Sequence, residues 1–574
     1  MQKIDFPSEL TIFKNRISDR YLAKFEEYFS ATQISTQASS LNDWFTFLKS
    51  ILAEEKDIPS EIWALSSKLA WIIADVSFFI DNSELIDVFR HDPLFLGYFS
   101  LGIVEFNDFE RGFKLLKEAF LLAESLKDWD ALIDLSAPYI LVLNNSANKN
   151  MVKDVLNKVK QIYKEKLASD PEIEFLISII KIFAQDKKDR EVEVDISEFQ
   201  KVIQESKHHF YSGLALSHLA KIKDKSYENQ QKAVINEFKA INARMRLIIA
   251  FTNLAYYYVS KAKFNEASEY SAKALKLADE IPKAKTYGNG IYIYPLFQKA
   301  WLLVGRGHLE EALDILRSIK LKSNLYKSPH HQVKANFGLA NVYFLQDQNE
   351  NAIKHIKESM SIIHSIENSY VQNHLYLDYA NLLIDLKETD EISEILEKVN
   401  VDELMGCSKA FYQYVLGKYE LNRFNVGIAK KYLEEALNDV KECENLYSNI
   451  LFTTSEAYIH EFRISENTST LEKAQEMINS GLDRVSDIPS RTKGEFLSAL
   501  LFYTQGKDDE AEELLEHLTD DSRQIPRFQK LAEKLIDTIR DNRVSSTTVS
   551  PITNVRDVLR YLRDAKTLIE FNPR

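Results

Sequence analysis

Two asparagines, Asn341 and Asn381, each stand directly after a small residue, in LANVYFL and YANLLID. A primary amide donates and accepts at once, so two of them 40 residues apart suit a groove that holds an extended peptide by its backbone. Pairing with each other across helices, or simple surface exposure, is the competing reading. Lys334 and Lys418 would add selection for acidic side chains, and His374 and Tyr414 would share the face. Tyr256, Tyr294, Phe297, Trp301 and Phe337 would supply area, since large aromatic side chains often carry binding energy. At helical spacing such a stripe is also what a core looks like. Most of YGNGIYIYPLFQKAW is therefore read as core, with Tyr294, Phe297 and Trp301 kept as groove candidates.

Other chemistries find no support. The chain contains no G-x-x-x-x-G-K-[ST], H-E-x-x-H, G-x-S-x-G or C-x-x-C, and its acids follow a solvent-facing helical pattern. No catalytic residue, cofactor or enzyme activity is expected. His330 and His331 sit in a locally basic segment with Arg317, Lys320, Lys322 and Lys327. Adjacent histidines point in different directions and no third ligand is apparent, so no metal is expected there. The segment reads as a solvated loop, or as an attraction for an acidic partner.

A formal net charge of −14 over 574 residues argues against a dedicated nucleic-acid binder, which needs a basic stripe for phosphates. The two cysteines, Cys407 and Cys443, are too few for a disulfide framework, and a reducing cytoplasm is the expected compartment. The opening MQKIDFPSELTIFKNR lacks the apolar core of a signal peptide. The stretch from Ile62 to Ile80 approaches membrane-spanning length, but Lys68 and Asp75 make it a buried helix of a soluble protein and not a membrane insertion.

The elements that position the candidate residues follow from a repeat. A small residue flanked by Leu or an aromatic returns at Ala255, Ala300, Ala340, Ala380, Gly417, Ala457 and Ala499, at spacings of 45, 40, 40, 37, 40 and 42. Twelve residues after six of these comes a second small or apolar residue: Ala267, Ala312, Ala352, Ile392, Ala429 and Ala511. In the unit of Ala457 it is Ala474, delayed by the polar insertion ISENTST, which belongs in the turn. Small side chains let two antiparallel helices approach closely, and that is why they must recur in pairs. Only 15 glycines and 12 prolines in the whole chain favour long helices with short connections.

With Leu254-Ala255-Tyr258 and Leu339-Ala340-Tyr343 the chain resembles the tetratricopeptide repeat superfamily, from about Phe210 to Leu518. Its period of about 40 is similar to that of kinesin light chains and of maltose-regulator-type sensors. The opening tryptophan of the motif is missing, Glu420 replaces a tyrosine, and Ile392 replaces an alanine. The resemblance implies an all-α, right-handed α-solenoid of antiparallel hairpins with N- and C-terminal helical caps. It also implies asparagines that hold a ligand backbone.

The expected organisation is an N-terminal helical region over 1–92, degenerate hairpins over 93–209 and the superhelical array over 210–541. A flexible Ser/Thr-rich linker follows over 542–553, and an amphipathic helix over 554–574. That last helix places Leu559 and Leu562 on one side and Arg556, Arg560 and Arg563 on another, as a cap, a recruiting surface or a site of self-association. The expected function is a scaffold or adaptor that binds a protein or peptide, possibly acidic, in the concave groove. A sensor that changes shape on binding and exposes its C-terminal helix, or a structural subunit of a larger assembly, are the alternatives.

Overall fold

The computed structural model describes residues 6–31, 40–106, 109–145, 149–162, 164, 179–180, 208–222, 227–261, 263–281, 289–325, 329–366, 369–388, 390–404, 406–440, 444–485, 487–520 and 525–545. Among these there is no strand. Five helices come first: α1 (Asp19–Ala31), α2 (Leu41–Glu54), α3 (Ser60–Ile73), α4 (Val76–Asp81) and α5 (Leu85–Val88). Hairpins follow: α6 (Pro93–Phe106) with α7 (Phe109–Leu126), α8 (Trp129–Asn145) with α9 (Lys149–Ile162), and α10 (His209–Ile222) with α11 (Tyr227–Ala240). Next in the chain come α12 (Arg244–Ser260), α13 (Phe264–Glu280), α14 (Asn289–Gly305) and α15 (Leu309–Leu325).

The later hairpins are α16 (Pro329–Leu345) with α17 (Asn349–Ile362), α18 (Ser369–Leu386) with the short α19 (Ile392–Glu397), and α20 (Cys407–Asn422) with α21 (Val426–Asp439). Then come α22 (Glu444–Ser465) with α23 (Ser469–Leu482), α24 (Ile488–Thr504) with α25 (Asp508–Asp520), and a last helix α26 (Pro526–Ser545). The ISENTST insertion lengthens α22 to 22 residues before the turn.

The repeat seen in sequence is also a repeat of backbone conformation. Gly307, Asp347, Lys387, Phe424 and Gly506 all take positive φ, each just past the first helix of its pair. In each case the next amide donates back five residues, as in Gln348 to the Tyr343 carbonyl, Glu388 to Leu383 and Asn425 to Glu420. This is the Schellman closure, which satisfies the carbonyls a helix end leaves open and turns the chain back within three residues. Glycine takes this conformation without strain, yet Asp347, Lys387 and Phe424 adopt it too.

Small residues sit where the helices touch. Ala340 and Ala352 are both fully buried, as are Ala380, Ala429, Ala457 and Ala474. Gly417 packs so tightly that an added Cβ would lie 2.7 Å from Leu433. Where Ile392 replaces the second alanine it is still fully buried, and the helix it opens has only six residues.

The chain packs as two compact units, 1–255 with 269–295, and 256–268 with 296–574. The array read from sequence as continuous over 210–541 thus contributes to both. In the first unit the apolar stretch from Ile62 to Ile80 is two helices and not one. Ala74 ends α3 in a left-handed conformation, and the Asp75 carboxylate accepts the Phe78 amide at 3.1 Å to start α4. Charge in that stretch therefore caps one helix and, at Lys68, is paired inside the core. Among the described residues no helix is long and apolar enough to cross a membrane.

Candidate functional site

In the second unit the residues between turns of α16 recur every three or four positions, so Lys334, Phe337, Asn341 and Phe344 share one face. On α18 the same spacing aligns His374, Asp378, Asn381 and Asp385. Aromatic contacts join this face to its neighbours: Trp301 lies 6.3 Å from Phe337, and Phe337 5.8 Å edge-on to Tyr379. The Asn341 amide is half-buried and bonds to no other described residue. Tyr256 is 63% exposed and within electrostatic reach of Asp378.

The charges on this face are strongly coupled to their surroundings. Surrounding protein pushes the Asp378 carboxyl up to about 7, and Lys334 draws it partly back. The same desolvation lowers Lys334, against the pull of Asp378. Burial drives His331 down to about 3, with the Lys334 charge adding to it. A lysine, a carboxyl and an amide thus line a half-buried strip flanked by Trp301 and Phe337, which can offer a peptide both hydrogen bonds and apolar area.

Several other expected contacts are not available on the surface. Lys418 is fully buried; its ammonium donates to Asn381 Oδ1 at 2.6 Å and Asp385 Oδ2 at 2.9 Å, and lies 5.4 Å from the centre of the Tyr414 ring. Asn381 is therefore engaged helix to helix, and Tyr414 is buried, with its hydroxyl accepting from Thr453 at 3.5 Å. Phe297 is core. The His374 ring is hydrogen-bonded to Ser408 at 2.9 Å.

The physical reason is curvature within the unit. Lys418 on α20, Asp385 on α18, Glu456 on α22 and Lys493 on α24 come from four consecutive first helices and influence one another's charge. Positions that would be open in a flat array close on each other. Among the described residues neither Glu456 oxygen has a hydrogen-bonding partner, and Lys493 Nζ stands 3.8 Å away, too far for one. Burial raises Glu456 to about 8, opposed by Lys493 and Lys418, while burial lowers Lys418 to about 8, opposed by Asp385. Asp378, Asp385, Glu456 and Lys493 were not singled out from sequence. The one available signal is charge at a packing register, as where Glu456 immediately precedes Ala457.

The first unit has its own buried network and holds Tyr294, which is 40% exposed. Lys68 donates to both Asp134 oxygens at 3.1 and 3.0 Å, the Tyr98 hydroxyl donates to the same carboxylate, and the ammonium lies 4.9 Å from the Tyr98 ring centre. A cavity of about 240 Å³ nearby is lined by Arg16, Glu61 and Asp92, with Arg16 already forked onto Asp128. Among the described residues no three His, Cys, Asp or Glu side chains gather as a metal set. Cys407 is disulfide-bonded, although two cysteines gave no framework in sequence; Cys443 lies outside the described residues. So do Arg556, Leu559, Arg560, Leu562 and Arg563.

A tetratricopeptide repeat model matches residues 249–280. Among solved structures, a chain of the crystal structure of the APC/C hetero-tetramer Cut9–Hcn1 is similar at 12% identity, over 93% of this chain and 99% of that one, with a TM-score of 0.44. Yeast Tom70 is similar at 14% identity, over 85% of this chain and 98% of that one, with a TM-score of 0.31. No curated protein matches.

Proposed function

Because the chain is built of tetratricopeptide-type helical hairpins, we propose that it is a non-enzymatic interaction scaffold whose second unit takes an extended segment of a partner protein along the α16–α18 face. The observation that carries this is the uncommitted Asn341 amide. It is half-buried, set between the Trp301–Phe337 pair and the start of the turn, with Lys334 and Asp378 on the same strip. Asn341 would hold the ligand backbone, the rings would bury its side chains, and Lys334 would meet an acidic one. Lys418 does not join in this, since Asp385 and Asn381 already occupy it.

Affinity capture with mass spectrometry tests the reading. The double variant Asn341→Ala with Lys334→Ala should lose at least about tenfold of its captured partner, as removal of a buried hydrogen bond and a charge predicts. Gln413→Ala, on a different helix, should keep it. Retention by the double variant, with unchanged helicity by circular dichroism, would place the contact elsewhere and favour the structural-subunit reading. Self-association through 554–574 is a separate part of the proposal, and light scattering after deletion of 546–574, which spares α26, should then show a smaller species. A cytoplasmic location belongs to the proposal as well.

A further inference from the structure

In a solenoid each repeat touches only its neighbours. The helix α26 departs from this: it packs on α24 and α25 as a terminal helix should, but it also returns to α16, in the fifth hairpin before it. The contact centres on Arg527, which is 4% exposed. Its guanidinium lies 3.9 Å from the centre of the Phe344 ring. One terminal nitrogen donates to Asn349 Oδ1 at 3.2 Å and Asp347 Oδ1 at 3.4 Å, and the other to the Asp385 carbonyl at 3.3 Å. Lys530, one turn on, pairs with the other Asp347 oxygen.

The sequence of α26 is not what its own stability would favour. The first turn of a helix prefers acids, because unpaired amides give it partial positive charge. That of α26 contains Arg527 and no acid, and Lys530 follows. The receiving side is equally specific. Asp347 is one of the turn residues in left-handed conformation, where glycine would be easier, so the turn gives up conformational ease and holds a carboxylate at this point. A ring face, a carboxylate, an amide oxygen and a backbone carbonyl together match a guanidinium plane, which stacks and forks where an ammonium does neither.

The seat also lies at the end of the candidate face. Phe344 follows Asn341 by one turn of α16, and Asp385 follows Asn381 by one turn of α18. We propose that this seat is a switchable docking site for a guanidinium group, that its resting occupant is Arg527 of the chain's own α26, and that a partner segment reaches the end of the α16–α18 face only by displacing it. The inference rests on the reading that this face binds protein, but the latch itself is measurable without a partner.

Hydrogen exchange on the full chain reads it. Arg527→Ala and, separately, Asp347→Ala should speed exchange at the first two turns of α26 and at the α16–α17 turn about tenfold, leaving α6 to α9 unchanged. Arg527→Lys should fall between, and about 10 mM guanidinium chloride should restore protection to Arg527→Ala where the same concentration of sodium chloride does not. Unchanged exchange in both alanine variants overturns the latch. So does loss of protection spread evenly over the second unit, which would make α26 a plain structural cap, and so does equal rescue by sodium. If the latch opens but the partner captured through Asn341 is retained no better by Arg527→Ala, autoinhibition fails while the binding face stands. If no capture depends on Asn341, the binding face fails and the exchange result still decides the latch.

Discussion

The two units solve one problem in different ways. Each buries a lysine between packed helices, and each answers it with an aspartate. In the first unit the answer is complete: Lys68 meets both oxygens of Asp134, Tyr98 donates to the same carboxylate, and two aromatic rings cover the ammonium. In the second, Lys418 likewise stands 2.9 Å from both Asp385 oxygens and donates to Asn381, but the neighbouring Glu456 and Lys493 face each other at 3.8 Å without a hydrogen bond. A satisfied buried network fixes a single structure, whereas a partly satisfied one leaves the interior costly to keep closed. The unit with the open Glu456–Lys493 pair is also the one with an uncommitted asparagine and an arginine latch. The contrast is thus between a closed Lys68–Asp134 pair and an open Glu456–Lys493 pair.

The sharpest way to break that contrast is to remove each lysine. Lys68→Ala strands Asp134 in the core and should destabilise the first unit by about 3–5 kcal/mol, the usual cost of breaking a buried pair from one side. Replacing both partners, Lys68→Met with Asp134→Leu, should return most of it. Lys418→Ala should cost less, because Glu456, the other acid its charge acts on, keeps Lys493 at 3.8 Å. Urea unfolding followed by hydrogen exchange of segments 60–73 and 407–422 separates the two, and equal losses would dissolve the contrast. Next in size is Gly112→Ala in the first unit. A Cβ there would lie 2.6 Å from the backbone nitrogen of Val104 and 2.9 Å from the Ser100 carbonyl oxygen, atoms that cannot step aside. Overpacking of that kind should cost about 1–3 kcal/mol in the same assay.

Much of this architecture was legible in sequence and much of the interior was not, for one reason. The pairing of Ala340 with Ala352, and the period that repeats it, follow from close helix approach, which depends on residues near in the chain. Hence hairpins and their turns are read correctly even where Ile392 or Glu420 breaks the motif. The fate of Lys418 depends on how four successive hairpins curve, and Asp385 and Glu456 are 33 and 38 residues from it in opposite directions. Nothing local distinguishes it from Lys334, which stays half-exposed on another first helix two hairpins earlier. Arg527 was missed for the same cause at longer range, since its seat is 180 residues away. The half-buried placement of Asn341 needed only its register directly after Ala340.

A smaller test sharpens the contrast through pH. Glu456 has an ordinary value of 4.5 and is raised to about 8 in the folded chain, chiefly by burial. Between those values the native state holds a proton the unfolded chain has released, so its contribution to stability is full below about 4.5 and lost as pH rises through 8. Above that, Lys418 acts in the opposite sense: lowered to about 8 from 10.5, it favours the native state as pH climbs towards 10.5. Glu456→Gln keeps the shape and removes the titration. Its melting temperature relative to wild type should therefore rise between pH 5 and 8, by about 2–4 °C for each kcal/mol regained in a unit of this size. A difference that stays flat with pH would mean that the carboxyl is already satisfied.

The smallest expected effect concerns a second glycine, and it asks whether the tight packing of the first unit extends throughout. Gly427 is the second residue of α21, exposed, and a Cβ added there meets nothing within 4 Å. With no clash to oppose it, Gly427→Ala restricts the unfolded chain and improves helix propensity, a gain of about 0.4–1 kcal/mol in favourable positions. Near a helix end the lower part of that range applies. Slower exchange confined to α20 and α21 is the expected result. A loss instead would mean that this end of the second unit packs against something as closely as Gly112 does against Val104, and the looser interior would then have to be sought only around Glu456 and Lys493.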